Sequence, residues 1–147
     1  MWWHDARIHS VCFDSDNVKL MFDIDYIFAW VDSAPGTTGW SFWVSPCTLV
    51  FDNAYDLTMD VESSRLYIMD LQRGEYSVPE NGAFIGKSDQ WTWNIECDTA
   101  DISLKSTGYT QYTRRKPRHI SGQGFSLTER GGVSFGQPAN PAEWDRP

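Results

Sequence analysis

Residues 18–31 read VKLMFDIDYIFAWV and give the clearest indication of the fold. Every even position from Val18 to Trp30 is apolar, and such alternation of β-branched and aromatic residues is typical of a β-strand. A strand of this length would span about 46 Å, so we expect a bend or a bulge within it. The odd positions begin with Lys19, Met21, Asp23 and Asp25 and are all apolar from Ile27 onward. This change predicts that another part of the fold covers the second half of the strand.

Several further segments show apolar or alternating patterns typical of strands. They are residues 8–13, 40–51, 55–61, 65–71, 91–96, 102–104 and 125–135. The polar residues 14–17 predict the turn of a first hairpin, and Gly131-Gly132 predicts a tight turn within the last segment. Pro46 has no amide hydrogen to donate, so we expect it at a sheet edge or a bulge.

These segments predict an all-β protein, an antiparallel β-sandwich or a partly open barrel with little helix. Spacing at helical intervals within residues 18–31 is the weaker alternative. A chain of 147 residues fits a single domain, which we assign to residues 1–135. Residues 136–147 contain three prolines and are predicted to form an extended tail.

The charge distribution favours a basic partner. The net charge is -8, and residues 1–113 hold 17 acids against 6 bases, a difference of -11. Such a body repels nucleic acid and anionic membranes, so we expect neither as a partner. Good solubility is the simpler interpretation of the same charge.

The cysteines and the first residues bear on the compartment. Cys12, Cys47 and Cys97 are widely spaced and form no Cys-x-x-Cys motif, which predicts buried, reduced thiols. Residues 1–5 have neither a basic region nor an apolar core, so we expect no signal peptide. Both features predict a cytoplasmic protein.

Two acidic pairs are candidate site residues. Asp23 and Asp25 point to one face of the long strand, about 6.6–7 Å apart, near the carboxyl separation of inverting glycosidases. Acids that alternate on a half-exposed strand are more often a recognition surface. We therefore assign Asp23 and Asp25, with Asp56 and Asp60 of another strand, to a solvent-facing acidic surface that binds a partner.

The remaining motifs do not identify an enzyme. His4-Asp5 is predicted to have a local role, in which Asp5 orients His4 or caps a turn. No phosphate-binding loop, dinucleotide fingerprint, nucleophile elbow or Cys-His metal spacing occurs. We expect no catalytic residue, no metal and no cofactor.

A basic segment follows the last predicted strand of the acidic body. Arg114, Arg115, Lys116 and Arg118 hold four of the twelve basic residues. We expect a solvated loop that pairs with the acids of the protein itself. Nucleic-acid binding is the weaker interpretation, because the acidic body opposes it.

Three stretches carry a resemblance to a known class of proteins. They are Trp3-His4-Asp5-Ala6-Arg7-Ile8, Phe22-Asp23-Ile24-Asp25-Tyr26 and residues 44–53, VSPCTLVFDN. These resemble small bacterial β-rich proteins of unknown or immunity-type function, which are often encoded near polymorphic toxins and some of which resemble toxin-neutralising immunity proteins. Cys47 departs from the smaller residue of that pattern.

The sequence thus predicts a non-enzymatic binding protein. The resemblance implies an immunity-type protein that occludes a toxin by protein–protein contact, with a basic toxin domain as the partner. The alternative is an aromatic-lined β-sandwich module that binds a glycan or a small ligand among its eight tryptophans. A glycosidase that uses Asp23 and Asp25 comes third.

Overall fold

The computed structural model describes residues 3–144, and β-strands account for 56% of the structure against 5% helix. In chain order the elements are β1 (Ala6–Asp14), β2 (Lys19–Asp32), β3 (Trp40–Asp52), β4 (Tyr55–Val61), β5 (Leu66–Ser77), α1 (Gly82–Ile85), β6 (Gln90–Cys97), β7 (Ala100–Ser106), β8 (Gly108–Thr113) and β9 (Arg118–Ile120). A short 3-10 turn follows at Pro141–Glu143. The predicted all-β fold with little helix is confirmed, as is the first hairpin, in which β1 pairs with β2.

All nine described strands belong to one antiparallel sheet, in the order β4-β7-β6-β5-β1-β2-β3-β8. The ninth strand, β9, pairs with β3 beyond the end of β8. The sheet does not close into a barrel.

The sheet curves around its hydrophobic core. Phe51 of β3 lies 5.9 Å from Trp93 of β6, measured between ring centroids, although three strands separate β3 from β6 in the sheet. Tyr109 of β8 lies 5.3 Å from the same tryptophan. Contacts between such distant strands require a concave inner face, and the largest buried side chains line it, including Phe22 and Leu104.

The long strand β2 has the expected bulge, located between Ile27 and Ala29. The prediction of which half is covered was wrong. Residues 20–27 are buried on both faces, whereas Phe28 and Trp30 are exposed. The reason is that a distant segment of the chain covers the first half of the strand.

That segment comprises residues 121–137, and we call it the C-terminal strap. The chain does turn at Gly131, where the amide of Gly132 donates to the carbonyl of Leu127, but the strands predicted on either side are not formed, since the strap contains only turns and coil. It lies on the outer face of β2 and β3, where Phe125 is buried against Ile27. Its contacts continue to Gly136, whose carbonyl accepts a hydrogen bond from Thr48 at 2.6 Å.

Pro46 shows how β3 accommodates a missing donor. Its carbonyl accepts a hydrogen bond from the amide of Arg114, which lies just beyond β8. The carbonyl and the nitrogen of a strand residue face the same neighbour, so the absent N–H would also point there. At this position β3 changes partner from β8 to β9, with Cys47 opposite Thr113 and Val44 opposite Arg118. Pro46 thus lies on β3 in the gap between its pairing with β8 and its pairing with β9, where no ladder hydrogen bond from its nitrogen is needed.

No helix within residues 3–144 is long and apolar enough to cross a membrane.

Candidate functional site

Asp23 and Asp25 lie beneath the C-terminal strap and have no exposed surface. The prediction that both face solvent was therefore wrong, and they do not contribute to an acidic recognition surface. Their register on β2 is as expected, since they share the outer face and lie opposite Thr48 and Pro46. Burial arises because the strap crosses this part of the sheet.

Asp23 is bound by two arginines and by the strap backbone. One carboxylate oxygen accepts hydrogen bonds from Nη2 of Arg130 and from Nη2 of Arg114, each at 2.7 Å. The other accepts from Nη1 of Arg130 and from the amide of Ser134 at 2.9 Å. Bidentate arginine–carboxylate pairs are among the stronger hydrogen-bonded contacts in proteins.

Asp25 has a different set of partners. Its Oδ2 lies 2.6 Å from Nε2 of His9 and accepts a hydrogen bond from the amide of Phe125 at 2.9 Å. Its Oδ1 accepts from Nε of Arg130 at 3.2 Å. Burial raises the pKa of Asp25, but the His9 hydrogen bond, the Arg130 charge and the Phe125 amide together outweigh it and hold the pKa below its ordinary value.

These five residues, Asp23, Asp25, Arg114, Arg130 and His9, form what we call the ion cluster. Two carboxylates face two guanidinium groups, so the formal charges balance when His9 is neutral. Every carboxylate oxygen in the cluster has at least one donor. A glycosidase needs one carboxyl to protonate the sugar oxygen and another to reach water or the anomeric carbon. Asp23 and Asp25 have no exposed surface, so neither carboxyl can reach a sugar or an attacking water. The ion cluster instead fastens the C-terminal strap to the sheet.

His4 and Asp5 are adjacent, with Nδ1 of His4 2.9 Å from Oδ2 of Asp5. Asp5 also accepts a hydrogen bond from Gln123 of the strap at 2.8 Å. This local pairing agrees with the role predicted for the two residues. Within residues 3–144, no group of three or more His, Cys, Asp or Glu side chains is arranged to hold a metal ion.

The basic segment divides between two environments. Arg114 pairs with Asp23, as expected for a segment that pairs with the protein's own acids, but its side chain is largely buried and not solvated. Lys116 and Arg118 are exposed, and the guanidinium of Arg118 lies 5.4 Å from the ring centre of Phe125. Arg115 accepts a hydrogen bond through its carbonyl from Ser45. The segment thus helps to hold the strap as well as to carry charge.

Asp56 and Asp60 are both exposed on β4, at the edge of the sheet. Asp56 forms an ion pair with Lys105 at 3.0 Å. Asp60 lies directly opposite Asp101 of β7. Only Asp60 of this predicted pair belongs to a wider acidic surface.

That surface is a row of four acids that crosses four adjacent strands. Asp60 is opposite Asp101, Asp101 is opposite Glu96, and Glu96 is opposite Asp70. We call Asp60, Asp101, Glu96 and Asp70 the acidic row. Residues directly opposite each other in antiparallel strands have side chains on the same face, with Cβ atoms about 4.5–5.5 Å apart. Among the described residues, none of the four forms an ion pair within 4 Å.

A second surface is an aromatic groove at the far end of the β2–β3 hairpin. Its volume is about 1010 Å³. Aromatic side chains form much of its lining, and Trp30 and Trp40 meet edge to face at 5.8 Å between ring centroids. Both tryptophans are about half exposed, as is Phe28. The aromatic groove is lined by His4, Tyr26, Ile27, Phe28, Ala29, Trp30, Trp40, Gln111 and Thr113.

Sequence reasoning missed five members of these sites, namely His9, Arg130, Glu96, Asp101 and Asp70. One signal for a buried acid pair was present, because apolar Met21 and Ile27 flank Asp23 and Asp25 on the same face of the strand. Both flanking residues are buried. The acidic row depends on strand order and register, which the spacing of acids along the chain does not reveal.

Comparison with known proteins gives no assignment: no protein-family model matches the chain, and no curated protein matches it.

Proposed function

We propose that this chain is a non-enzymatic binding protein that docks on a basic surface of a partner protein through the acidic row. The observation that carries the proposal is the pairing of acids in register across β4, β7, β6 and β5. Like charges directly opposite each other destabilise a sheet. A basic partner would remove this repulsion on binding, which makes the surface suited to a cationic protein.

The position of the acidic row supports this use. The C-terminal strap covers β2 and β3, but the outward side chains of β6 and β7 near the row, including Asn94, Glu96 and Asp101, are exposed. The net charge of -8 adds a long-range attraction that speeds encounter with a basic protein. The predicted acidic recognition surface is retained in this proposal at Asp60, but moves from β2 to the other half of the sheet.

The resemblance to immunity-type proteins suggests which partner this is. In this proposal the partner is a basic bacterial toxin domain, and the chain occludes its active surface. All three cysteines are free, which supports a reducing compartment such as the cytoplasm. The proposal assigns no catalytic residue and no cofactor.

The glycan or small-ligand alternative would use the aromatic groove. Its volume is at the upper end of the range typical of small-molecule sites, about 300–1,000 Å³. Its lining is mainly apolar and aromatic, and its polar groups are limited to His4, Gln111, Thr113, the Tyr26 hydroxyl and the indole N–H groups of the two tryptophans. A sugar presents many hydroxyl groups that require partners, so this lining favours an apolar occupant over a glycan.

The test compares a charge-reversed acidic row with a matched control. The variant Glu96→Lys/Asp101→Lys and the control Asp16→Lys/Glu80→Lys change the net charge equally, and all four positions are exposed. We expect wild type and control to capture the same basic protein from the native host and to rescue growth when that protein is expressed. The row variant should do neither. Equal capture and rescue by both variants would exclude the acidic row from the interface.

A further inference from the structure

The end of the β2–β3 hairpin has an open strand edge. Strand β1 pairs with β2 from Asp14 opposite Lys19 only as far as Arg7 opposite Asp25. Beyond the bulge, residues 29–32 of β2 pair with β3 alone. Within residues 3–144, no other backbone bond reaches residues 28–32. Because strand residues turn their backbone groups alternately to the two sides, part of this edge is free to pair.

The aromatic groove runs along this edge. Five consecutive residues of β2, 26–30, line it. Successive side chains of a strand point to opposite faces, so a cavity on one face would contact alternate residues only. Here the bulge after Ile27 interrupts the alternation, so the groove meets a consecutive run of β2 residues, and it continues to Trp40 of β3 and to Gln111 and Thr113 of β8.

Apart from the bulge after Ile27 and the carboxylate of Asp32, this edge carries no lysine or proline that would oppose pairing with other chains. Natural edge strands are often protected by lysines, prolines or covering segments. Residues 28–32 read FAWVD and contain one charged side chain, Asp32. Phe28 and Trp30 are exposed here beside the exposed Trp40. Aromatic residues with few charges are typical of the centre of a protein interface.

We infer that residues 28–32 accept an extended, basic segment of a partner protein as an additional β-strand. Main-chain hydrogen bonds to the open edge would hold the segment, and its alternate apolar side chains would enter the aromatic groove. The net charge of -8 and the carboxylate of Asp32 at the end of the edge favour positive charge on the segment. The same net charge opposes a second copy of this chain as the occupant. This site does not depend on the acidic row.

The test uses short random peptides displayed as a library and selected on the full chain. We expect the enriched peptides to alternate apolar and polar residues and to carry lysine or arginine. Their binding should weaken by at least about tenfold for Trp30→Ala and for Trp40→Ala. The matched control is Phe84→Ala, since Phe84 is 94% exposed on α1 and lies beside Lys19 at the opposite end of β2.

Methylation of the peptide backbone separates strand addition from simple apolar contact. An enriched peptide is N-methylated either at its odd-numbered or at its even-numbered amides. Only one of these two sets faces the open edge, so methylation of that set should abolish binding and methylation of the other set should not. The inference is overturned if methylation of neither set abolishes binding, or if no enriched peptide depends on the two tryptophans. It is also overturned if cello-oligosaccharides displace the peptides, or if the chain alone forms a dimer that Trp30→Ala dissociates.

Charge reversal in the acidic row leaves this strand edge intact. The proposal for the acidic row and the inference of strand addition can therefore be disproved independently of each other. At high salt, where long-range charge attraction is screened, the variant Glu96→Lys/Asp101→Lys should bind the selected peptides within about twofold of the wild type.

Discussion

Arg130 and Asp23 are 107 positions apart in the chain, yet both terminal nitrogens of the arginine bind the carboxylate of the aspartate. Neither side chain has any exposed surface. This contact fastens the C-terminal strap to the centre of the sheet. Because Arg130 also binds Asp25, one cation compensates a large part of the charge of two buried acids.

Replacement of Arg130 by methionine should be strongly destabilising. The variant leaves Asp23 and Asp25 buried with one arginine fewer, and loss of one partner of a buried ion pair typically costs about 3–5 kcal/mol. Urea denaturation would measure the change in the free energy of unfolding. The control Lys116→Met removes an exposed charge and should change this free energy by less than about 0.5 kcal/mol. Similar effects of the two substitutions would show that the ion cluster does not stabilise the fold.

The ion cluster also predicts a dependence of stability on pH. The pKa of Asp25 is lower in the folded protein than its ordinary value of 3.8, so the unfolded chain binds a proton more readily. The contribution of Asp25 is therefore complete above that value and is lost as pH falls through the lower, folded pKa. Urea midpoints measured from neutral to strongly acid pH should fall more steeply for wild type than for Asp25→Asn. Parallel curves for the two proteins would contradict this prediction.

The strands were predictable from sequence because their alternation is local. In the first half of β2 and in β6 and β7, apolar side chains repeat every two residues on the face that becomes the core, whereas in β4 only Leu57 of the alternating apolar residues packs against it. Alternation alone cannot show whether the opposite face meets water or another segment. The sequence therefore predicts that Asp23 and Asp25 face solvent, although Met21 and Ile27 on the same face are apolar. The C-terminal strap covers both aspartates, and the sequence could not show this because the apolar pattern of the strap itself is typical of strands.

The cysteines should differ in their reactivity. Burial raises the pKa of the Cys47 thiol to about 11, and burial together with nearby carboxylates raises that of Cys97 to about 12. Cys12 is only partly buried, contrary to the expectation that all three thiols are buried. A thiol reagent should label Cys12 first in the native protein, and the fast phase should disappear in Cys12→Ser. Fast labelling of Cys47 would show that β3 opens readily.

Gly124 should tolerate a methyl group poorly, because the strap passes close to Asp25 at this position. A Cβ at Gly124 would lie 3.0 Å from Oδ2 of Asp25 and 3.6 Å from its Cβ. Crowding of this kind costs about 1–3 kcal/mol, which urea denaturation of Gly124→Ala would detect. At Gly122, the nearest atom would be 3.8 Å from an added Cβ, so Gly122→Ala is the matched control. Equal stability of the two variants would mean that the strap is not tightly seated.

Asp101 should reduce the stability of the isolated protein, because it lies between Asp60 and Glu96 in the acidic row. Asp101→Lys replaces two repulsive cross-strand pairs by two attractive ones. Since such pairs contribute about 0.2–1 kcal/mol each, the free energy of unfolding should rise by several tenths of a kcal/mol or more at low salt.

The salt dependence of the gain in unfolding free energy for Asp101→Lys identifies its cause. The screening length falls from about 10 Å at 0.1 M to about 3 Å at 1 M ionic strength, so added salt should narrow the difference between Asp101→Lys and wild type. Asp16→Lys makes the same charge change in the β1–β2 turn, away from the acidic row, and serves as the control. If it stabilises the protein as much as Asp101→Lys, the gain reflects net charge alone. A larger and salt-sensitive gain in unfolding free energy for Asp101→Lys would show that the repulsion arises within the acidic row. Such local repulsion is what a basic partner would relieve on binding there.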